Sequence, residues 1–128
     1  MSVLLDGSKG GGQILRTALG LSILLKKPFS ITNIRANRPQ PGLKPQHLKA
    51  VEVLQNLSQA EVNGAQPGST ELHFKPNAWK PSPSIKIDIG TAGSITLLLQ
   101  ALMLPLTFSY KRIKLDITGG TDVKWSMP

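Results

Sequence analysis

The chain contains no cysteine, which removes disulfides, thiolate metal sites and a cysteine nucleophile from consideration. That usage fits a reducing interior, with the cytoplasm as the expected compartment, or the nucleus in a eukaryote. Acidic residues are scarce, 7 Asp and Glu against 15 Lys and Arg. Paired carboxylates for acid–base work are not evident, and His47 and His73 stand isolated, so no metal-ligand spacing emerges. Long apolar runs are missing as well. The longest, residues 14–25 and 95–106, are interrupted by Arg16, Thr17 or Gln100 and are too short and polar to span a bilayer. The N-terminus lacks the charged head and longer apolar core of a signal peptide. No membrane partner is expected.

What remains is an ordinary globular composition. With 128 residues, 40% of them hydrophobic, the chain suffices for one compact domain. Such a domain buries about 65–70% of its unfolded surface. The formal charge of +8 and a pI near 10.1 favour polyanionic partners, nucleic acid or nucleotides.

Periodicity suggests the order of elements. Residues 2–5 read as a strand, and 13–27 as a helix with Leu15, Ala18, Leu19 and Ile23 on its apolar face. Pro28 cannot continue that helix, and FSITNI alternates as a half-buried strand over 29–34. A proline-rich loop over 35–44 leads to Pro45, suited to the first turn of a helix carrying Leu48, Val51, Val53, Leu54 and Leu57. Residues 61–62 and 71–75 pair as a hairpin across the glycines between them. After the connector NAWKPSPS the pattern returns: a strand over 85–89, the turn GTAGS, a helix over 95–104 stopped near Pro105, and a strand over 113–117. LDG, glycines and QILRTALGLS parallel IDIG, glycines and ITLLLQALML. The expectation is an α+β fold of repeated units, residues 1–78 forming a β-α-β-α-β-β unit and 79–128 a truncated second one of strand, helix and strand. A unit that stops halfway cannot cover its own sheet face, so the chain reads as the front piece of a larger protein.

Three stretches carry candidate chemistry. In LDGSKGGGQILR a glycine run enters a helix N-terminus, where free amides and the helix dipole favour an anion. It is neither a Walker A nor G-x-G-x-x-G, and its spacing alone describes an ordinary tight turn. Gln13 and Arg16, neighbours on the helix and off its apolar face, move the reading toward an anion. RANRPQPGLKPQHL sets Arg35 and Arg38 in a proline-stiffened loop, with Gln46 and His47 following at a helix start. Together these suit a phosphate, although each taken singly also fits a solvated basic loop. GTAGSITLLLQ offers glycines and capping hydroxyls, and places Gln100 inside an apolar helix, where burial would oblige it to find a backbone or ligand partner.

In this order and spacing, DG followed by GGGQILRTALGLS, then IRANRPQPGLKPQHL, GTAGSITLLLQ and GGTD, resemble the N-terminal part of the RNA 3'-terminal phosphate cyclase family. The likeness runs over nearly the whole chain and covers little more than the first third of a usual member. It implies repeated four-stranded sheets, each backed by two helices, similar to the enolpyruvyl transferases. It also implies a chemistry in which ATP and a divalent metal (Mg or Mn) adenylylate a histidine, AMP passes to an RNA 3'-phosphate, and the adjacent 2'-hydroxyl closes a 2',3'-cyclic phosphate. By resemblance Gln13 and Arg16 fall at active-site positions after the glycines, and Arg35, Arg38, Gln46 and His47 line the phosphate and the RNA end. Gln100 falls at a nucleotide-binding glutamine, and the proline that meets the adenine falls near Met127 and Pro128.

The chain departs from the family in two respects. The usual loop, Gly-Glu-Gly-Gly-Gly-Gln, is about two residues shorter here and offers Lys9 in place of an acid, which reverses the charge presented to a metal. The nucleophilic histidine belongs to a C-terminal portion with no counterpart in this chain, so no catalytic residue is expected here. Expected partners are RNA with a 3'-phosphate end, ATP, and a second copy or a C-terminal partner chain on the open sheet edges. The alternatives are a non-catalytic cyclase-like RNA-binding or ribosome-assembly protein and, further off, an enolpyruvyl-transferase-like domain.

Overall fold

The computed structural model describes residues 2–9, 12–78, 84–88, 92–107, 113–118 and 122–127. Along the chain run β1 (Val3–Asp6), α1 (Gly12–Leu25), β2 (Phe29–Thr32), α2 (Pro45–Ser58), β3 (Glu61–Asn63), β4 (Leu72–Lys75), β5 (Ser84–Asp88), α3 (Ala92–Thr107), β6 (Ile113–Thr118) and β7 (Asp122–Met127). The first sheet has the order β1-β2-β4-β3, with β1 and β2 parallel and the other pairs antiparallel. The second has the order β5-β6-β7, parallel and then antiparallel. The fold is therefore a mixed α+β architecture. No helix among the described residues is long and apolar enough to cross a membrane.

Strand alternation decides which face each sheet buries. Phe29 pairs with Phe74 and Ile31 with Leu72, so these four buried side chains share one face, the two phenyl rings 5.9 Å apart. That face meets α1, which contacts β2 and β4 through the stripe Leu15, Ala18, Leu19 and Ile23. In the second sheet Ile85 pairs with Leu115 and Ile87 with Ile117, and α3 lies against β6 and β7. Because α3 also packs on α1 and α2, the helices form a layer between the sheets around one continuous core.

The structure differs from the sequence-based expectation at three places. β2 ends at Thr32 because Asn33 and Arg35 adopt left-handed backbone, with φ of 53° and 51°. Pro105 does not stop α3, which continues to Thr107. A proline cannot donate to the carbonyl four residues earlier, here that of Ala101. Gly20 of α1 faces this carbonyl so closely that a methyl group there would stand 3.0 Å from its oxygen. Finally, residues 122–127 form a third strand of the second sheet, where only two strands were expected. Val123, Trp125 and Met127 alternate in the sequence, a period-two signal overlooked beside the preceding glycines.

Candidate anion-binding site

The parallel strands β1 and β2 end side by side, and the chain leaves each through a loop that leads to a helix N-terminus. The crevice beyond the carboxyl ends of parallel strands is where such folds tend to bind ligands. The two loops are fastened to each other. Gly7 donates its amide to the Thr32 carbonyl at 2.8 Å, and its Cα approaches the 32–34 backbone so closely that a methyl group would lie 3.2 Å from Ile34 Cα. Asp6 Oδ1 accepts from the Ser8 amide at 2.9 Å and from Asn33 Nδ2 at 3.4 Å, while Asn37 Nδ2 donates to the Ser8 carbonyl at 2.7 Å. The bonds from Ser8 and Asn33, assisted by Lys9, hold the exposed Asp6 carboxyl below its ordinary pKa. Asp6 is the only acidic residue between Met1 and Val51, and these bonds commit it to shaping the loop.

The basic loop is tied down at its far end. Gly42 donates to the Ile34 carbonyl at 2.9 Å, Leu43 donates to that of Ser69 at 2.9 Å, and Gly68 donates back to Leu43 at 2.8 Å. Gly42 has φ +86°, and a methyl group on it would stand 2.2 Å from the Gly68 carbonyl oxygen, so only glycine fits. Within this frame Arg35 is buried, and its Nη1 donates to the carbonyls of Gln40 and Gly42, both at 2.9 Å. One arm of its guanidinium therefore braces the loop. Arg38 remains exposed at the loop's outer turn.

His47 links the two helix starts. It is only 3% exposed, and its Nδ1 accepts the Lys44 amide proton at 3.0 Å, a reverse cap at the start of α2. With Nδ1 accepting, the proton of the neutral ring sits on Nε2. Burial, followed by the charges of Arg35, Arg16 and Lys44, lowers the His47 pKa to about 4, so the ring is neutral at pH 7. Its Nε2 is aimed at the first residue of α1: a methyl group at Gly12 would stand 2.6 Å from Nε2 and 3.2 Å from Arg16 Nη1. No protein hydrogen bond reaches Nε2 among the described residues.

The structure therefore brings Arg16, Arg35 and His47 together at the start of α1, with exposed Gln13 on its first turn and exposed Gln46 on that of α2. Among the described residues, no carboxylate forms an ion pair with Lys9, Arg16, Arg35, Arg38 or Lys44. A neutral N–H donor, a guanidinium and the unpaired amides of a helix start suit a phosphate-like anion. Among the described residues, no group of three His, Cys, Asp or Glu is placed to hold a metal ion. Gln100 requires a correction. It lies on the exposed side of α3 with no hydrogen-bond partner among the described residues, so the obligation to satisfy a buried amide disappears. Pro128 lies outside the described residues. Sequence reasoning missed Gly12 as the contact point, the Lys44 amide as the partner of His47, and the Asn33 and Asn37 latches. Only the asparagines, turn formers beside a strand end, carried a local signal.

Comparison with known proteins identifies the family. A family model for RNA 3'-terminal phosphate cyclase matches residues 8–128. Curated proteins of that name resemble the chain closely: 53% identity over 128 residues for one from Pyrococcus furiosus, covering 98% of this chain and 37% of the relative. One from Methanosarcina acetivorans is 55% identical, covering 95% of this chain and 35% of the relative. One from Pyrobaculum neutrophilum is also 55% identical, covering 100% of this chain and 37% of the relative. The chain thus spans little more than a third of the length of the relatives it matches. With its glycine-entered helix and basic loop inside the matched region, the chain belongs to the RNA 3'-terminal phosphate cyclase family.

Proposed function

We propose that this chain supplies the phosphate-holding part of an RNA 3'-phosphate cyclase, which converts an RNA 3'-phosphate to a 2',3'-cyclic phosphate at the expense of ATP through an adenylylated histidine outside this chain. The observation that carries the reading is the convergence of His47 Nε2, Arg16 and Gly12 at the start of α1. In this reading the start of α1 and His47 Nε2–H receive phosphate oxygens, and Arg16 and Arg38 add charged forks. The free part of the Arg35 guanidinium and the side chains of Gln13 and Gln46 complete the end pocket. Gln100 and Pro128 belong to a nucleotide subsite. Residues 1–78 are taken as one structural unit and 79–128 as part of a second. A divalent metal, which the family resemblance implies, enters no step here.

The test compares RNA ending in a 3'-phosphate with the same RNA ending in a 3'-hydroxyl. Tighter binding of the phosphate form is expected, and Arg16→Ala and Arg38→Ala should each reduce the preference by about tenfold, the worth of one charge-assisted hydrogen bond. Equal affinity for both ends removes the reading. A second reading, a cyclase-like RNA-binding protein without catalysis, is favoured by Lys9, which stands where the family loop carries an acid. Neither reading places an adenylylated histidine on this chain, so no AMP adduct is expected with labelled ATP, and a stable phosphoramidate on His47 or His73 would overturn both.

A further inference from the structure

The end pocket contains two side chains that are more than nine-tenths buried and still have hydrogen-bond donors to spare. His47 is 3% exposed, and with Nδ1 accepting the Lys44 amide its remaining polar group is Nε2–H, which meets no protein acceptor among the described residues. Arg35 is 8% exposed. Its Nη1 donates to the carbonyls of Gln40 and Gly42, while Nε and Nη2 have no partner among the described residues. The charge of Arg35 acts on His47 more strongly than those of Arg16 and Lys44, which puts the guanidinium near the ring. The missing side chain of Gly12 completes the arrangement. The space that a methyl group would fill there is bounded by His47 Nε2 at 2.6 Å and Arg16 Nη1 at 3.2 Å. The same residue begins α1, whose first-turn amides have no partner within the helix.

Buried donors make demands on a ligand. A donor shut away from water is costly unless an acceptor meets it, so a ligand that leaves one unpaired is held far more weakly. A terminal phosphate monoester carries three terminal oxygens and, above its second pKa of about 6, close to two negative charges. Those oxygens match the donor groups of the pocket: the His47 N–H, the guanidinium groups of Arg16 and Arg35, and the start of α1. A phosphodiester, cyclic or open, carries only two terminal oxygens and one charge. One donor group then stays unpaired, and the one least able to turn to water is His47, whose ring is buried and pinned through Nδ1. We propose that His47 makes the end pocket specific for a terminal phosphate monoester against a phosphodiester, so that the pocket holding an RNA 3'-phosphate rejects the 2',3'-cyclic form. The inference rests on the phosphate-end reading above and adds to it which end group is refused. In a cyclase this separates substrate from product, because the product lacks the third terminal oxygen.

Fluorescence anisotropy with the unmodified full chain tests this, using one RNA sequence prepared with a 3'-phosphate, 3'-sulfate, 3'-methyl phosphodiester, 2',3'-cyclic phosphate or 3'-hydroxyl end. The 3'-phosphate should bind about a hundredfold more tightly than either diester, as expected for one charged hydrogen bond lost and a buried donor left unpaired. The sulfate, with three terminal oxygens but a single charge, should bind at least about tenfold more tightly than the diesters. His47→Leu should cut the preference for phosphate over cyclic phosphate to below about tenfold, and His47→Gln, which keeps an N–H donor, should recover part of it, with circular dichroism checking that both variants fold. If His47→Leu does not fold, the order of the ends on the unmodified chain decides. A cyclic phosphate bound within about threefold of the 3'-phosphate, with the hydroxyl end bound weakly, would overturn this proposal and leave the phosphate-end reading standing. Equal binding of the phosphate and hydroxyl ends would remove both. A sulfate no better than the diesters, or a folded His47→Leu chain with an unchanged preference, would also overturn the proposal.

Discussion

The passages β1–α1–β2 and β5–α3–β6 follow the same course, a parallel strand pair joined by a helix, yet their helices meet different surroundings. α3 is packed on two sides by α1 and α2, and Leu98, Ala101, Leu102 and Leu106 are all 0–2% exposed. α1 buries one stripe, leaves Leu21 and Leu25 open, and presents its N-terminus to His47 and Arg16. A common local pattern therefore specifies the element but not its role. The helix closed in by neighbours supports the core, and the one left partly open has its first residue against His47.

The sharpest break of this comparison is a pair of truncations. Leu102→Ala should cost about 2–5 kcal/mol, because the cavity forms between packed helices. Leu25→Ala, more than half exposed, should change stability by no more than about 0.5 kcal/mol. Urea unfolding of both variants measures the difference, and equal losses would show that α1 is as enclosed as α3.

His47 gives the next largest effect. Its folded pKa of about 4 lies below the unfolded value of 6.5. Stability is therefore fully present above pH 6.5 and lost as the pH falls toward 4, to the extent of about 3 kcal/mol. Urea midpoints taken from pH 7 to pH 4 should drop more steeply for the wild type than for His47→Gln. Parallel curves would mean that the imidazole is not desolvated.

The contact between the two helices is probed at Gly20. Gly20→Ala sets a methyl group 3.0 Å from the Ala101 carbonyl oxygen and should cost about 1–2 kcal/mol net, overpacking outweighing the gain in helix propensity. A rise in thermal midpoint would show that α1 and α3 part freely. Gly12→Ala acts on stability and function together, because its methyl group would stand 2.6 Å from Nε2 of the buried His47. It should cost about 1–2 kcal/mol in urea unfolding and lower any preference for a 3'-phosphate about tenfold.

Much of the fold was legible because it depends on local spacing. The apolar stripe of α1, Pro45 at the start of α2 and the hairpin of β3 and β4 all lie within a residue or two of where periodicity and turn chemistry put them. Pro105 does not end α3, because a proline's cost is local whereas α3 is held along its length by α1 and α2. The burial assumed for Gln100 failed for a similar reason. An apolar helix can keep one polar side open, and which residue faces outward depends on the packing of α1 and α2.

At the site, residue types pointed to an anion before any geometry was available: an excess of positive charge, a glycine run before a helix, and two arginines in a stiffened loop followed by a histidine. Sequence by itself determined these elements and their chemical sign, since both follow from side-chain identity and short-range spacing. Tertiary structure decided which nitrogen of His47 is left to donate, that one arm of Arg35 braces its own loop, and that β1 is the end strand of its sheet among the described residues. Those outcomes depend on backbone groups and neighbours far apart along the chain, brought together only when both sheets close on the helices.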